Sequence, residues 1–171
     1  MLKNLSFLNM FLWNIVIIGL WHLAVFLVCI KLPHSKFDPE KGRFAPKTWE
    51  RHGRWYRDKL KIQAWKDKVP QHIGKDGFSK EHFKDVSIEY IDEFIFETCR
   101  GEWMHMKNLI CAVITLVINP IIVGLVFSFL IMLANLPFAI IQRYNRFRLY
   151  TLRKKLLRGI KSEKVGETVT A

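Results

Sequence analysis

At 171 residues the chain allows one domain of ordinary size, and half of its residues are apolar. They concentrate in two blocks without Asp, Glu, Lys or Arg, residues 5–30 and 109–141, a distribution foreign to a soluble protein of this length. The net charge of +12 flanks those blocks, so lipid headgroups explain it better than nucleic acid, for which no reading module is visible.

An uncharged run of about 20 residues crosses the hydrocarbon layer as a helix, and the first block meets that length. It ends at Cys29, Ile30, Lys31, Leu32 and Pro33 without a small-x-small cleavage site, so it is expected to be a retained anchor (residues 1–32). One lysine precedes it, whereas Lys31, Lys36, Lys41 and Arg43 follow. That asymmetry places the N-terminus outside and residue 31 inside.

Residues 33–86 read as a cytoplasmic, interfacial segment. Within it, residues 47–68 form an amphipathic stretch, with Trp49, Tyr56 and Leu60 on one helical face and Arg51, Arg54, Arg57, Lys59 and Lys61 nearby. Rings beside ammonium and guanidinium groups suit the membrane–water interface. Asp76 and Gly77 mark a turn, and Ser79 caps a short helix after it.

Residues 87–141 begin with Ser87 as a cap and Glu89 in the first turn, and Ile88, Ile91 and Ile95 recur at the helical period. This helix is expected to run through Trp103 into residues 109–118. As one straight helix, residues 109–141 would be about 50 Å long, beyond the hydrocarbon thickness. Prolines at Asn119-Pro120 and Asn135-Leu136-Pro137 interrupt the block. A hairpin breaking near Pro120 returns the basic tail, residues 142–171 with nine Lys/Arg against two Asp/Glu, to the cytoplasm. The tail reads as a helix on the membrane to about residue 158, followed by disorder from 162. The fold expected is an all-α integral membrane protein: a transmembrane anchor, interfacial amphipathic helices, and a Pro-broken hairpin with a basic C-terminal helix. Three helices would be embedded, the middle one only half inserted at about 15 Å.

Three clusters could carry chemistry. On a helix Glu97 neighbours Arg100, and Glu102 neighbours His105. A carboxylate holding one imidazole nitrogen orients His105, leaving the other nitrogen to take a proton from a hydroxyl. The plain alternative is paired interfacial charges snorkelling to water. His52, expected on the amphipathic face with Trp49 and Tyr56, is a second possible base, or an interfacial histidine without chemistry. Gln142, Arg143, Tyr144, Asn145 and Arg146 follow the last apolar run, and guanidinium groups pair well with phosphates; juxtamembrane arginines also simply anchor a span. Cys29, Cys99 and Cys111 lack metal-ligand spacing, a second copy of the Glu102/His105 spacing for a dimetal site is missing, and no nucleophile elbow, P-loop or GxGxxG occurs.

The chain resembles the glycosyl-4,4'-diaponeurosporenoate acyltransferases at these same positions. The resemblance rests on Glu50, His52, Gly53 and Trp55; on Trp65, Lys66 and Pro70; and on Phe78 and Lys80. It continues through Glu97, Thr98, Arg100, Glu102 and His105 to Ala134, Asn135 and Pro137, and ends on the run from Gln142 to Arg146 with Arg148 and Leu149. It runs in matching order from about residue 37 to 156. It implies a bacterial membrane enzyme that completes the carotenoid staphyloxanthin by esterifying a fatty acid onto its glucose. On that basis the expected function is a membrane O-acyltransferase acting on a glycosylated carotenoid or related glycolipid, in a multi-pass protein of the bacterial cell membrane. The co-substrate would be an acyl thioester, acyl-CoA or acyl carrier protein, with no bound cofactor and no metal. His105 with Glu102 would be the base and His52 its alternative. Glu97 would hold Arg100, and Arg100, Arg143 and Arg146 would bind donor phosphate or the oxyanion. Membrane lipids and other pathway enzymes are the further partners expected. The competing reading is a non-enzymatic membrane adaptor, its basic surface docking anionic lipid or a partner protein.

Overall fold

A computed structural model describes residue 2 and residues 5–69 and 87–169, with side chains as far as residue 161. The turn expected at Asp76 and Gly77, the cap at Ser79, and the family positions Pro70, Phe78 and Lys80 lie outside the described residues. All regular structure among the described residues is helical. It forms two compact units, residues 1–37 with 100–142 and residues 38–99 with 143–171. Helices α3 (Ile88–Asn108) and α5 (Ile121–Val169) each contribute to both.

In the first unit, α1 (Phe7–Lys31) starts at Ser6, whose Oγ accepts from the Asn9 N–H at 3.4 Å. It ends where Leu32 turns extended (φ −72°, ψ 137°), as a residue preceding proline must. Met10, Asn14, Val25 and Cys29 are its buried residues, and Ile18 and Trp21 on the same stripe pack against a cluster of Cys111, Ala112 and Ile131. The remaining surface of α1 is apolar and exposed, with Phe7 at 75% and Leu8 at 64%.

The expected break at Asn119 is present. Helix α4 (Ile110–Ile118) stops there, Asn119 is extended (φ −99°, ψ 165°), and α5 begins at Ile121. Asn119 and Asn14 exchange side-chain amide hydrogen bonds at 2.8 Å each way, and each also donates to a carbonyl one turn back, Thr115 O and Met10 O. Gly124 lets the two arms approach, because a Cβ there would lie 3.0 Å from the Leu116 backbone. Ser128 Oγ donates to Ala112 O at 2.6 Å across the same contact.

Three expectations fail here. The run from residue 87 to 118 is two helices, broken at Leu109. Pro137 does not interrupt the second block, since α5 continues through it. One proline removes one backbone donor, and flanking turns can hold the helix together. The tail is not a separate element either, because the helix reaches Val169, past both the expected end near 158 and the disorder expected from 162.

Two helices, α1 and residues 121–161 of α5, are long and apolar enough to cross a bilayer, and they are candidate membrane spans. Only 17% and 28% of their most apolar stretches is buried, whereas the core helix of a soluble protein would be mostly covered. The nine residues of α4 span about 14 Å, roughly half a hydrocarbon layer.

In the second unit, Ser87 Oγ accepts from the Tyr90 N–H at 3.1 Å and starts α3 as its sequence predicts. Ile91 and Ile95 pack with Leu149, flanked by Phe94, Tyr150, Leu152 and Leu156. The amphipathic helix expected over 47–68 is instead a chain of short turns: 3₁₀ segments Thr48–Gly53, Ile62–Ala64 and Lys66–Lys68, and a five-residue α2 (Arg54–Asp58). The breaks fall where the backbone is left-handed, at Arg51 (φ 50°), His52 (φ 55°), Gly53 (φ 85°) and Lys61 (φ 47°). The helical face on which Trp49, His52 and Tyr56 were expected to align therefore does not exist.

Candidate functional site

The polar core of the second unit forms around Glu50, which is fully buried. Arg143 grips it bidentately, Nε to Oε1 at 2.7 Å and Nη2 to Oε2 at 2.8 Å. Tyr56 Oη donates to Oε1 and the Lys47 N–H to Oε2, both at 2.6 Å. Burial pushes the Glu50 carboxyl up, but these four donors outweigh it and hold its pKa below the ordinary value. Burial and the neighbouring carboxylate push the Tyr56 phenol well up, so it stays a donor.

Arg143 spends its other N–H groups on three successive carbonyls, Nη1 to Arg43 O and Phe44 O and Nη2 to Ala45 O, at 2.7–2.9 Å. All five of its donors are thus engaged, in place of the donor phosphate expected of it. Arg146, also buried, donates to Thr98 Oγ1 at 3.0 Å and to Phe44 O at 3.2 Å. Both arginines tie the loop of residues 43–45 to α5. The spacing of Arg143 and Arg146 signalled basic residues but not their partners, which lie 48 to 102 positions earlier in the chain.

Two adjoining grooves open on this unit. A larger one, about 630 Å³, is lined by Glu40, Pro46, His52, Phe147, Tyr150 and Lys154, among others. A smaller one, about 230 Å³, takes in His52, Arg54, Arg57, Tyr144 and Arg148. His52, Phe147 and Thr151 line both. Gly53 seats the turn against Phe147, whose Cβ would be only 2.9 Å from a Cβ at that position. Tyr144 Oη accepts from Gln63 Nε2 at 3.3 Å.

The other histidine site is in the first unit. Asn135 Nδ2 donates to Ile131 O at 3.0 Å, and a carbonyl can only accept, so Oδ1 must face His105 Nδ1, 3.1 Å away. That requires the proton of His105 on Nδ1 and leaves Nε2 with its lone pair. The second Asn135 amide hydrogen points to His22 Nε2 at 3.5 Å, and His22 Nδ1 donates to Ile18 O at 2.9 Å. One tautomer assignment satisfies the whole chain from Ile18 through His22 and Asn135 to His105. His105 stacks on Phe138, with ring centroids 5.1 Å apart. Burial lowers its pKa, the Asn135 bond raises it less, and His22 lowers it further.

Of the remaining predicted residues, Glu102 is buried, Arg100 half-buried and Glu97 exposed. Gln142, half-buried, lies over Gly101, where a Cβ would meet its amide at 3.0 Å. Asn145 is half-buried on α5. Sequence reasoning missed the Asn135 and His22 contacts with His105. A lone asparagine before a proline carries no signal for a histidine 30 residues away.

Helical in all its described regular structure and with two helices apolar enough for a bilayer, the chain holds a neutral imidazole on an amide in its first unit and, separately, a basic groove beside a carboxylate–guanidinium pair in its second. The family model of glycosyl-4,4'-diaponeurosporenoate acyltransferase matches residues 39–155, more than half of the chain. The chain belongs to that family and is an acyltransferase. Proteins of that name from Staphylococcus aureus strains MRSA252, bovine RF122 / ET3-1 and USA300 are each 28% identical over 159 residues, 92% of this chain and 92% of theirs. No solved structure matches.

Proposed function

We propose that this protein esterifies a fatty acyl group onto a sugar hydroxyl of a glycosylated carotenoid, or of a closely related glycolipid, at the cytoplasmic leaflet. The family match carries this reading, since it takes in Glu50, His52, His105 and Arg143 together. The acceptor would lie with its tail in the bilayer and its sugar at the interface.

In the reaction, His105 Nε2 takes the proton of the sugar hydroxyl while the hydroxyl oxygen attacks the thioester carbonyl. The tetrahedral intermediate then collapses, the C–S bond breaks, and the imidazolium returns the proton to the leaving thiolate. Support comes from the tautomer that Asn135 imposes and from the lowered pKa, which keeps the imidazole unprotonated at neutral pH. Glu102 and Arg100, on the same helix, are proposed to orient the acceptor and stabilise the oxyanion. Gln142, which lies over Gly101 of that helix, is proposed to shape the approach to it. His52, at the meeting of the two grooves, is the alternative base.

The test is acyl transfer in membranes carrying His105→Ala or His52→Ala. The His105 variant is expected to lose about 10²-fold or more of kcat, and the His52 variant much less. Wild-type kcat/KM should rise with pH through a midpoint below the ordinary imidazole value of 6.5, because burial favours the base form. Full activity in both variants would end the histidine-base proposal.

A further inference from the structure

The smaller groove is a costly arrangement for an empty surface. Arg54, Arg57 and Arg148 converge on it beside His52. Among the described residues, Arg57 has a carboxylate bonded to it, Asp58 at 2.8 Å, while Arg54 donates to the Arg51 carbonyl at 3.4 Å. The turn that brings them together holds two non-glycine residues, Arg51 and His52, in the left-handed region, each costing on the order of 1–3 kcal/mol. A concavity lined by like charges focuses a positive potential and favours an anion. The Tyr144 hydroxyl accepts from Gln63, so its own proton can be donated to a ligand. Arg143 and Arg146 are committed to the protein, whereas these three guanidinium groups line the smaller groove.

We propose that this groove holds the phosphate of the acyl donor, a fatty acyl thioester on a phosphopantetheine arm. This deepens the acyl-transfer reading and rests on it. The planar guanidinium forks of Arg54 and Arg148 take the phosphate oxygens, and Tyr144 Oη adds a neutral donor. His52, shared by both grooves, marks where the arm leaves the phosphate site for the larger groove. Acyl-CoA and acyl carrier protein present the same phosphate ester, so the chemistry recognised is common to both.

The experiment compares wild type with Arg54→Gln and Arg148→Gln in the full-length protein in nanodiscs, using three donors: acyl-CoA, acyl carrier protein, and an acyl-pantetheine lacking phosphate. Each variant should raise KM for a phosphate-bearing donor about tenfold or more, with kcat within a few-fold and KM for the glycolipid unchanged. A rise with both shows that the shared pantetheine phosphate is recognised, and a rise with one alone identifies that donor as the source. With acyl-pantetheine, wild type and variants should coincide, which also shows that the variants are folded. Unchanged KM values for both phosphate donors would overturn the groove assignment alone. Equal losses with all three donors, alongside weaker binding to anionic vesicles, would overturn it in favour of headgroup docking. If wild type forms no ester from any donor, the acyl-transfer reading falls, and this proposal with it.

Discussion

Glu50 and Arg143 show what a buried ion pair demands of its neighbours. Desolvating two charges costs several kcal/mol per ion, and the pair survives only because every lone pair and N–H finds a partner. Here Tyr56, the Lys47 N–H and three carbonyls complete the set. Glu50→Gln keeps the shape but leaves Arg143 buried without its counter-charge. It should destabilise the second unit by about 3–5 kcal/mol, read as an earlier denaturation midpoint in detergent. Replacing both partners by apolar residues should cost less than Glu50→Gln alone. The pH dependence has a definite sign. The folded pKa of Glu50 lies below its ordinary 4.5, so its contribution is complete above pH 4.5 and is lost as pH falls through the depressed value. Glu50→Gln should remove that part of the acid sensitivity. The sequence marked Glu50 only as a neighbour of His52; that it anchors the unit depends on a partner 93 positions away.

At the scale of elements, the hairpin turns on a pair of amides. Proline at 120 explains why α4 ends, and its place in an uncharged run made that break legible in the sequence. It does not explain what holds the break against α1. The reciprocal Asn14–Asn119 bonds do, between side chains 0% and 2% exposed. In a helix whose outer surface faces lipid, Asn14→Leu strands the Asn119 amide. Interhelical polar contacts in membranes are worth about 0.6–2 kcal/mol, and that is the expected loss. A double-mutant cycle with Asn119→Leu measures it, and simple additivity would show that the two amides are not coupled. Pro137 was misread as a second break because a proline's motif is the same whether or not adjoining turns preserve the helix. The amphipathic stretch at 47–68 failed for a related reason. Its spacing satisfies a helical wheel, but the left-handed backbone at Arg51 and His52 is unusual for such residues and has no sequence signature short of the glycine that follows.

At the scale of the whole molecule, hydrophobicity and charge settle the class of the fold but leave the topology to be tested. Two apolar helices with largely uncovered surfaces are long enough to cross a bilayer. Crossing by α1 carries residue 31 to the opposite face from residue 6. The nine residues of α4 reach only part of the way through the hydrocarbon, so a re-entrant α4–α5 hairpin would return the chain to the face it left. Residues 142–171 carry nine Lys/Arg and two Asp/Glu, and placing them outside would oppose the positive-inside bias. An epitope at the C-terminus should therefore be shielded from protease and antibody in intact protoplasts and exposed after lysis, while one at the N-terminus should be accessible in both. Replacing Arg153, Lys154, Lys155 and Arg158 with Gln should weaken the bias and give mixed accessibility. If the C-terminal epitope of the wild-type chain is already open in intact protoplasts, the hairpin crosses the bilayer an odd number of times, and the acyl donor would have to be sought on the other face.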